Sequence, residues 1–238
     1  MRFIASALGI SAVRFSADDV LPERGVLQRE LIARVTERYA FHVSPPVGPG
    51  LGLQQVLIFQ SGVLGHTSGP IPIIQLSIFP DGIAAIAKDT DLAEAVLNDV
   101  MAECDSAVGY RYGVAQLESL YLSQLVVEFS AEFIERTAAF QIIRNTLDGS
   151  LCNDRREVHL KRLVFGLDLA NETQMAIQQV GIQLPGVVTL VPRDFVIERR
   201  MPEPMERNRF FCAAPIRTKE HRVLLETIER DVVASNAN

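Results

Sequence analysis

Apolar residues fall into two rhythms along this chain: a spacing of two, which suits strands, and a spacing of three to four, which suits helices. Residues 2–15 predict an opening strand. Ser16-Ala17-Asp18-Asp19 then gives a helix start, with carboxylates where the helix dipole favours negative charge, and Pro22 fits a first turn. Leu27, Leu31, Val35 and Tyr39 recur every four residues, while Glu30 and Arg34 stand at i,i+4 on another face, so a helix is predicted over 20–39. Prolines and glycines make 44–53 a loop. Residues 53–59 are strand-like, 61–72 form a second loop, and 73–79 are a strand. Pro80-Asp81-Gly82 turns that strand back into 83–87 as a hairpin.

Asp89-Thr90-Asp91 opens a second helix, with Glu94 placed as in a capping box. Ala93, Val96, Leu97, Val100 and Cys104 predict its buried stripe, with Glu94, Asp99 and Glu103 turned away. Residues 117–129 read as a long strand. Ser130 caps a helix over 131–147, whose broad apolar face includes Phe133, Ile134 and Phe140, and Asp148-Gly149 stops it. Residues 157–169 read as a strand with a bulge at Lys161-Arg162, a helix being the alternative there, and 172–180 as a short helix. Short strands are predicted at 187–191, 195–200 and 209–212. Thr218 caps a closing helix to about Val233, with Leu224, Ile228 and Val232 as its apolar stripe.

The predicted order is β-α-β-β-β-α-β-α-β-(α)-β-β-β-α. Strands come partly in hairpins, so the class is α+β, with mixed or antiparallel sheet and about four main helices, not a regular βαβα winding. The length of 238 residues suits a single domain, with a possible division into lobes 1–150 and 151–238 at a break near 149–156. No internal repeat is visible in the sequence.

Composition adds a bias towards contact surfaces. Hydrophobic residues make up 48% and charged residues 22%, which is greasy for a solitary chain, and a subunit interface is one place for the excess. The net charge of −6 is concentrated: residues 39–132 hold only Lys88 and Arg111 against ten acids. That acidic middle repels phosphate, so nucleic acid is not the expected partner. Cys104, Cys152 and Cys212 are widely spaced and odd in number, which fits free thiols in a reducing cytoplasm better than disulfides or zinc. No apolar run reaches membrane-spanning length, and the mild run Phe3 to Val13, diluted by Ser6, Gly9 and Ser11, reads as a strand and not as a signal peptide.

Candidate chemistry is sparse. Gly48-Pro49-Gly50-Leu51-Gly52 resembles a phosphate loop only in its glycines, because a strand and not a helix is expected to follow it. His66, Thr67 and Ser68 in the second loop could serve acid–base chemistry, but no sequence-marked partner accompanies them. His42, His66, His159 and His221 have no metal-ligand spacing, and no cofactor is expected. Arg155, Arg156, His159, Lys161 and Arg162 form the densest basic cluster, readable as an anion or partner-docking patch or as a charged strand edge. The acidic middle of a second copy would complement that patch head to tail. The mixed-sign run of Arg193, Arg199, Arg200, Arg207 and Arg209 with Asp194, Glu198, Glu203 and Glu206 reads as solvated surface. The expectation is a non-catalytic interaction or structural subunit of a homo- or hetero-oligomeric intracellular assembly. The alternative is a small-molecule-binding domain or enzyme whose site is built from loops 44–53 and 61–72.

Overall fold

The opening apolar run forms β1, Arg2–Arg14, and this strand is paired on both sides. The computed structural model describes residues 1–20, 28–46, 56–67, 69–136, 162–166, 194–200 and 208–234. Within them, α1 (Ala17–Val20) and α2 (Gln28–Arg38) follow β1; then come β2 (Leu57–Leu64), β3 (Ile71–Phe79), β4 (Gly82–Ala87) and α3 (Thr90–Val108). After a single 3-10 turn at Tyr112–Val114 the chain continues as β5 (Glu118–Glu128), α4 (Ala131–Arg136), β6 (Arg162–Gly166), β7 (Asp194–Arg199), β8 (Arg209–Ala214) and α5 (Thr218–Ala234). The eight described strands make one antiparallel sheet in the order β2-β3-β4-β1-β5-β8-β7-β6, so the molecule is α+β, as expected. The predicted strand at 187–191, the short helix at 172–180 and the lobe break at 149–156 lie outside the described residues.

Local chemistry explains most of these elements. Leu31, Val35 and Tyr39 are buried on one stripe of α2, and Glu30 pairs with Arg34 at 3.6 Å on the other face. The chain leaves α2 through Ala40, whose φ of 48° lets the Phe41 amide donate back to the Thr36 carbonyl. In α3 the predicted stripe is buried throughout. Its cap is Asp89 and not Asp91: the Asp89 carboxylate accepts from the Leu92 amide at 2.9 Å. Left-handed Gly109 (φ 78°) ends the helix by donating to the Cys104 carbonyl.

Two predictions are corrected. The expected loop 61–72 is shorter than predicted, since β2 runs to Leu64 and β3 begins at Ile71. Gly62 sits where a Cβ would come within 2.5 Å of the Phe41 ring, so here the glycine answers a packing demand inside a strand. Pro72 is tolerated because pairing of β3 with β4 begins only at Gln75, leaving Pro72 with a neighbour on one side. The stripe of α5 is also shifted. His221, Leu225 and Glu229 are buried, while Leu224 is 39% exposed and Val223 more so.

The sheet carries a repeat that the sequence hides. Among the described residues, strand, helical segment, three strands and helix occur twice, and the sheet order reads the same from either end when β1 to β4 are matched with β5 to β8. The centre of the sheet shows the correspondence at residue level. Ala87 pairs with Gly9, Gly9 with Ser123 and Ser123 with Ala214, one row across the four middle strands. Above that row α3 and α5 begin side by side: the Thr90 amide donates to Thr218 Oγ1 at 3.0 Å and the Thr218 amide to Thr90 Oγ1 at 2.7 Å. A topological two-fold thus passes between Gly9 and Ser123 and between the two threonines.

Each half owns a core on the helix side of the sheet. The first gathers Leu31, Val35, Tyr39, Phe59, Leu76, Ile83, Val96 and Leu97 beneath α2 and α3. The second gathers Leu125, Phe129, Phe133, Phe195, Ile197, Phe210 and Leu225 beneath α4 and α5. On the opposite face Ile10, Ile86 and Leu122 form a small buried cluster of their own.

Candidate interaction surface

The polar residues marked in the sequence do not converge. His66 and Thr67 are exposed in the turn between β2 and β3, and Ser68 lies outside the described residues. Of loop 44–53, residues 47–53 lie outside them as well. Of the basic cluster, Arg155, Arg156, His159 and Lys161 fall outside, and Arg162 sits exposed at the start of β6, the terminal strand of the sheet, 3.6 Å from Glu198 on β7. His42 is exposed beside β2, whereas His221 is buried at the other half's helix. Among the described residues no three His, Cys, Asp or Glu side chains are grouped so as to hold a metal ion.

Where titratable groups do cluster, they close on one another. Tyr39 donates to Asp99 at 2.6 Å, Arg38 grips the same carboxylate with two nitrogens at 2.9 and 3.1 Å, and its third lies 3.1 Å from Glu103. Burial alone would raise the Asp99 carboxyl, but the hydrogen bonds from Arg38 and Tyr39 outweigh it and hold it below the usual carboxylate range. At the seam between the halves, Arg217 donates to Glu94 at 2.7 Å and to the Tyr121 hydroxyl at 2.5 Å, with its guanidinium 4.6 Å from the Tyr121 ring centre. The Glu229 carboxylate accepts from the Ser130 amide at 2.7 Å and pairs with the Met1 amino group, tying α5 to the starts of α4 and β1. These groups tie elements together and are engaged in doing so.

Three features escaped the sequence reading. Arg199, expected on the surface, is buried with its guanidinium 4.9 Å from the Phe210 ring centre, because its stem can pack while its head lies over an aromatic face. Ser123 and His221, 98 residues apart, meet in the interior at 2.6 Å. No local spacing announces such a pair. The third feature is the set of exposed large apolar side chains, which concentrate towards the ends of the sheet.

At the β2 end, Leu57, Phe59 and Leu64 of β2 and Ile71, Ile73, Leu76 and Ile78 of β3 turn into the first core. Their neighbours Ile58, Val63 and Ile74 therefore project the other way, and Ile58 and Ile74 are 44% and 42% exposed. Val43, joined to Gln60 by an isolated bridge alongside β2, is exposed beside them. At the other end, Val164 and Phe165 of the terminal strand β6 are exposed.

The chain matches no family model and no curated protein sequence.

The chemistry available at this surface is therefore contact chemistry. The outer face of the β2–β3 hairpin offers branched aliphatic side chains, with Gln60 and the exposed Ser61 between them. Gln60 is itself occupied, donating to Gln75 Oε1 at 3.5 Å. A patch of this kind at a sheet margin gains free energy from exclusion of water by a matching apolar surface. No helix among the described residues is long and apolar enough to cross a membrane.

Proposed function

We propose that this chain is a non-catalytic interaction subunit of an intracellular assembly and that it docks through the outer face of the β2–β3 hairpin. The observation that carries the reading is the outward projection of Ile58, Val63 and Ile74 from two adjacent strands at the margin of the sheet, next to exposed Val43. Closure of the principal charged clusters into ion pairs supports it, since a catalytic group needs an open partner for its substrate. A reducing compartment suits the buried thiols of Cys104 and Cys212, which burial pushes upward, Cys104 to about 12, so that both stay protonated and unreactive. The partner is a protein surface, either a second copy of this chain or a heterologous subunit.

The test is the native mass of the purified chain and of the double variant Ile58→Glu/Ile74→Glu. The wild type is expected above its 26.3 kDa chain mass, or with a second chain bound in fixed stoichiometry, and the variant at the mass of one chain. Placing a carboxylate in each half of an apolar contact costs several kcal/mol of association, about 2–5 per buried unpaired charge, while the exposed positions leave the fold intact. A variant that assembles as the wild type does would move the contact elsewhere, and a wild type that never exceeds one chain would end the proposal.

A further inference from the structure

We propose that the Ser123–His221 pair is a pH-operated latch that holds the second half closed on its side of the seam and, when the imidazole takes up a proton, releases the first turn of α5 from the sheet.

The two halves place different chemistry at corresponding positions. In the first half Gly9 lies under the start of α3, where any Cβ would fall inside the backbone of Asp89 and Thr90. Ala93, three residues after Thr90, is fully buried above the sheet, and its amide donates to the Asp89 carbonyl at 3.0 Å. In the second half Ser123 stands opposite Gly9 in the row, and His221, three residues after Thr218, donates its amide to the Arg217 carbonyl at 2.9 Å. A close approach of Gly9 to the backbone of Asp89 and Thr90, beneath a helix that buries Ala93, is thus matched on the other side of the two-fold by a serine–histidine pair.

The pair is enclosed. Ser123 and His221 are both 0% exposed, Ser123 Oγ lies 2.6 Å from Nδ1, and among the described residues Nε2 has no hydrogen-bond partner. The ring packs edge-on to Phe195, with centroids 5.8 Å apart. Among the described residues, the groups around it offer an imidazolium no uncommitted anion. On β5 there is Ser123 itself, and Tyr121 two residues away is engaged by Glu94 and Arg217. On β7 there is the Phe195 ring. The inward residues of β8 include Ala214 and Cys212, whose thiol burial keeps neutral. From α3 come Thr90, bound to Thr218, and Glu94, bound to Arg217. On α5 the residues one turn to either side are Arg217, a cation, and Leu225, while Glu220 and Arg222 are exposed.

A neutral ring is compatible with that setting and a charged one is not. Burial pushes the histidine down to about 4, with hydrogen bonding at Ser123 opposing the shift. The sign follows: the folded value lies below the ordinary value of 6.5, so the closed state is at full strength above pH 6.5 and weakens as pH falls towards 4. Across that window the open state binds a proton that the closed state cannot. Opening bares Leu125, Phe195 and Leu225 of the second core, while the first half, with Gly9 and Ala93 at the corresponding places, has no titrating pair there and no corresponding response.

The experiment is hydrogen exchange by mass spectrometry on the full chain, corrected for intrinsic rate, at pH 7.0, 6.0, 5.0 and 4.5, with His221→Gln alongside. In the wild type, amides of 209–214 and 218–225 should exchange at least tenfold faster at pH 4.5 than at pH 7.0, with 82–87 and 92–104 unchanged. His221→Gln keeps a hydrogen-bonding side chain that does not titrate, and should show the same exchange at every pH. Equal acid response in the variant, equal response in both halves, or no response in the wild type would each overturn the latch. If the variant does not fold, an NMR titration of the wild-type imidazole decides: no ring proton uptake down to pH 5 in the closed state supports the latch, and titration near 6.5 without opening refutes it. None of these readouts depends on the outer face of the hairpin.

Discussion

Gly9 occupies a point where two independent demands meet. It must extend through the centre of the sheet, paired to Ala87 and Ser123, and it must leave room for the start of α3 directly above. Gly9→Ala is therefore expected to lower stability by about 2–3 kcal/mol through overpacking, seen as a drop in the denaturant midpoint at unchanged slope. A neutral result would show that α3 rides higher on the sheet than the structure places it. Ala40 is the converse case. Its φ of 48° is a left-handed conformation that a Cβ disfavours, so Ala40→Gly should stabilise by about 0.5–1 kcal/mol in the same measurement. Neither demand was legible in the sequence. A glycine within an apolar run and an alanine after a helix each have ordinary neighbours, and only the chain folded back over them gives them meaning. The Ser123–His221 contact was hidden for the same reason, because its partners are brought together by β5 and α5 and not by spacing.

The elements themselves were more legible where a local rhythm decided them. The stripes of α2 and α3, the turn at Asp81 and Gly82 and the long β5 follow from patterns that tertiary contacts did not override. The apolar stripe of α5 holds at Ile228 and Val232, which pack against the second core, and fails at Leu224 for a physical reason. Its sequence offers Leu224, Ile228 and Val232 as one stripe, but the buried positions include a histidine joined to Ser123 and a glutamate joined to the Ser130 amide and the Met1 amine. Two polar residues with specific interior partners rotate the helix away from the greasier face. This distinction can be measured. Leu225→Ala should cost about 2–5 kcal/mol, the range for truncating a buried leucine, while Leu224→Ala should stay within about 0.5 kcal/mol. Equal losses at both positions would restore the predicted stripe and remove His221 from the interior. The β2 and β3 boundaries were misread because glycine, serine and proline weaken a strand signal, although Gly62 is needed against Phe41 and Pro72 sits beyond the reach of β4.

At the scale of the whole molecule, the sheet joins two halves whose described elements repeat in order; the seam keeps Thr90 with Thr218 and Ala87 with Ala214 but differs at its centre. Residues as unlike as Gly9 and Ser123, or Ala93 and His221, fill corresponding places, which is why no repeat was visible in the sequence. The α+β class was readable because it needs only the kinds of elements and their order. The sheet order was not, since it depends on β1 and β5 meeting across more than a hundred residues. The contact surface was suggested only as an excess of apolar composition; its location required knowing which side of β2 and β3 faces the core. That location is also where the account is most exposed to test.

The decisive measurement is light scattering of the purified chain over a range of micromolar concentrations, with the Ile58→Glu/Ile74→Glu variant alongside. The wild type is expected above 26.3 kDa, from self-association or a retained partner, and the variant at a single chain with an unchanged circular dichroism spectrum. A wild type that stays at 26.3 kDa throughout and carries no second chain, or a variant as large as the wild type, would contradict this expectation.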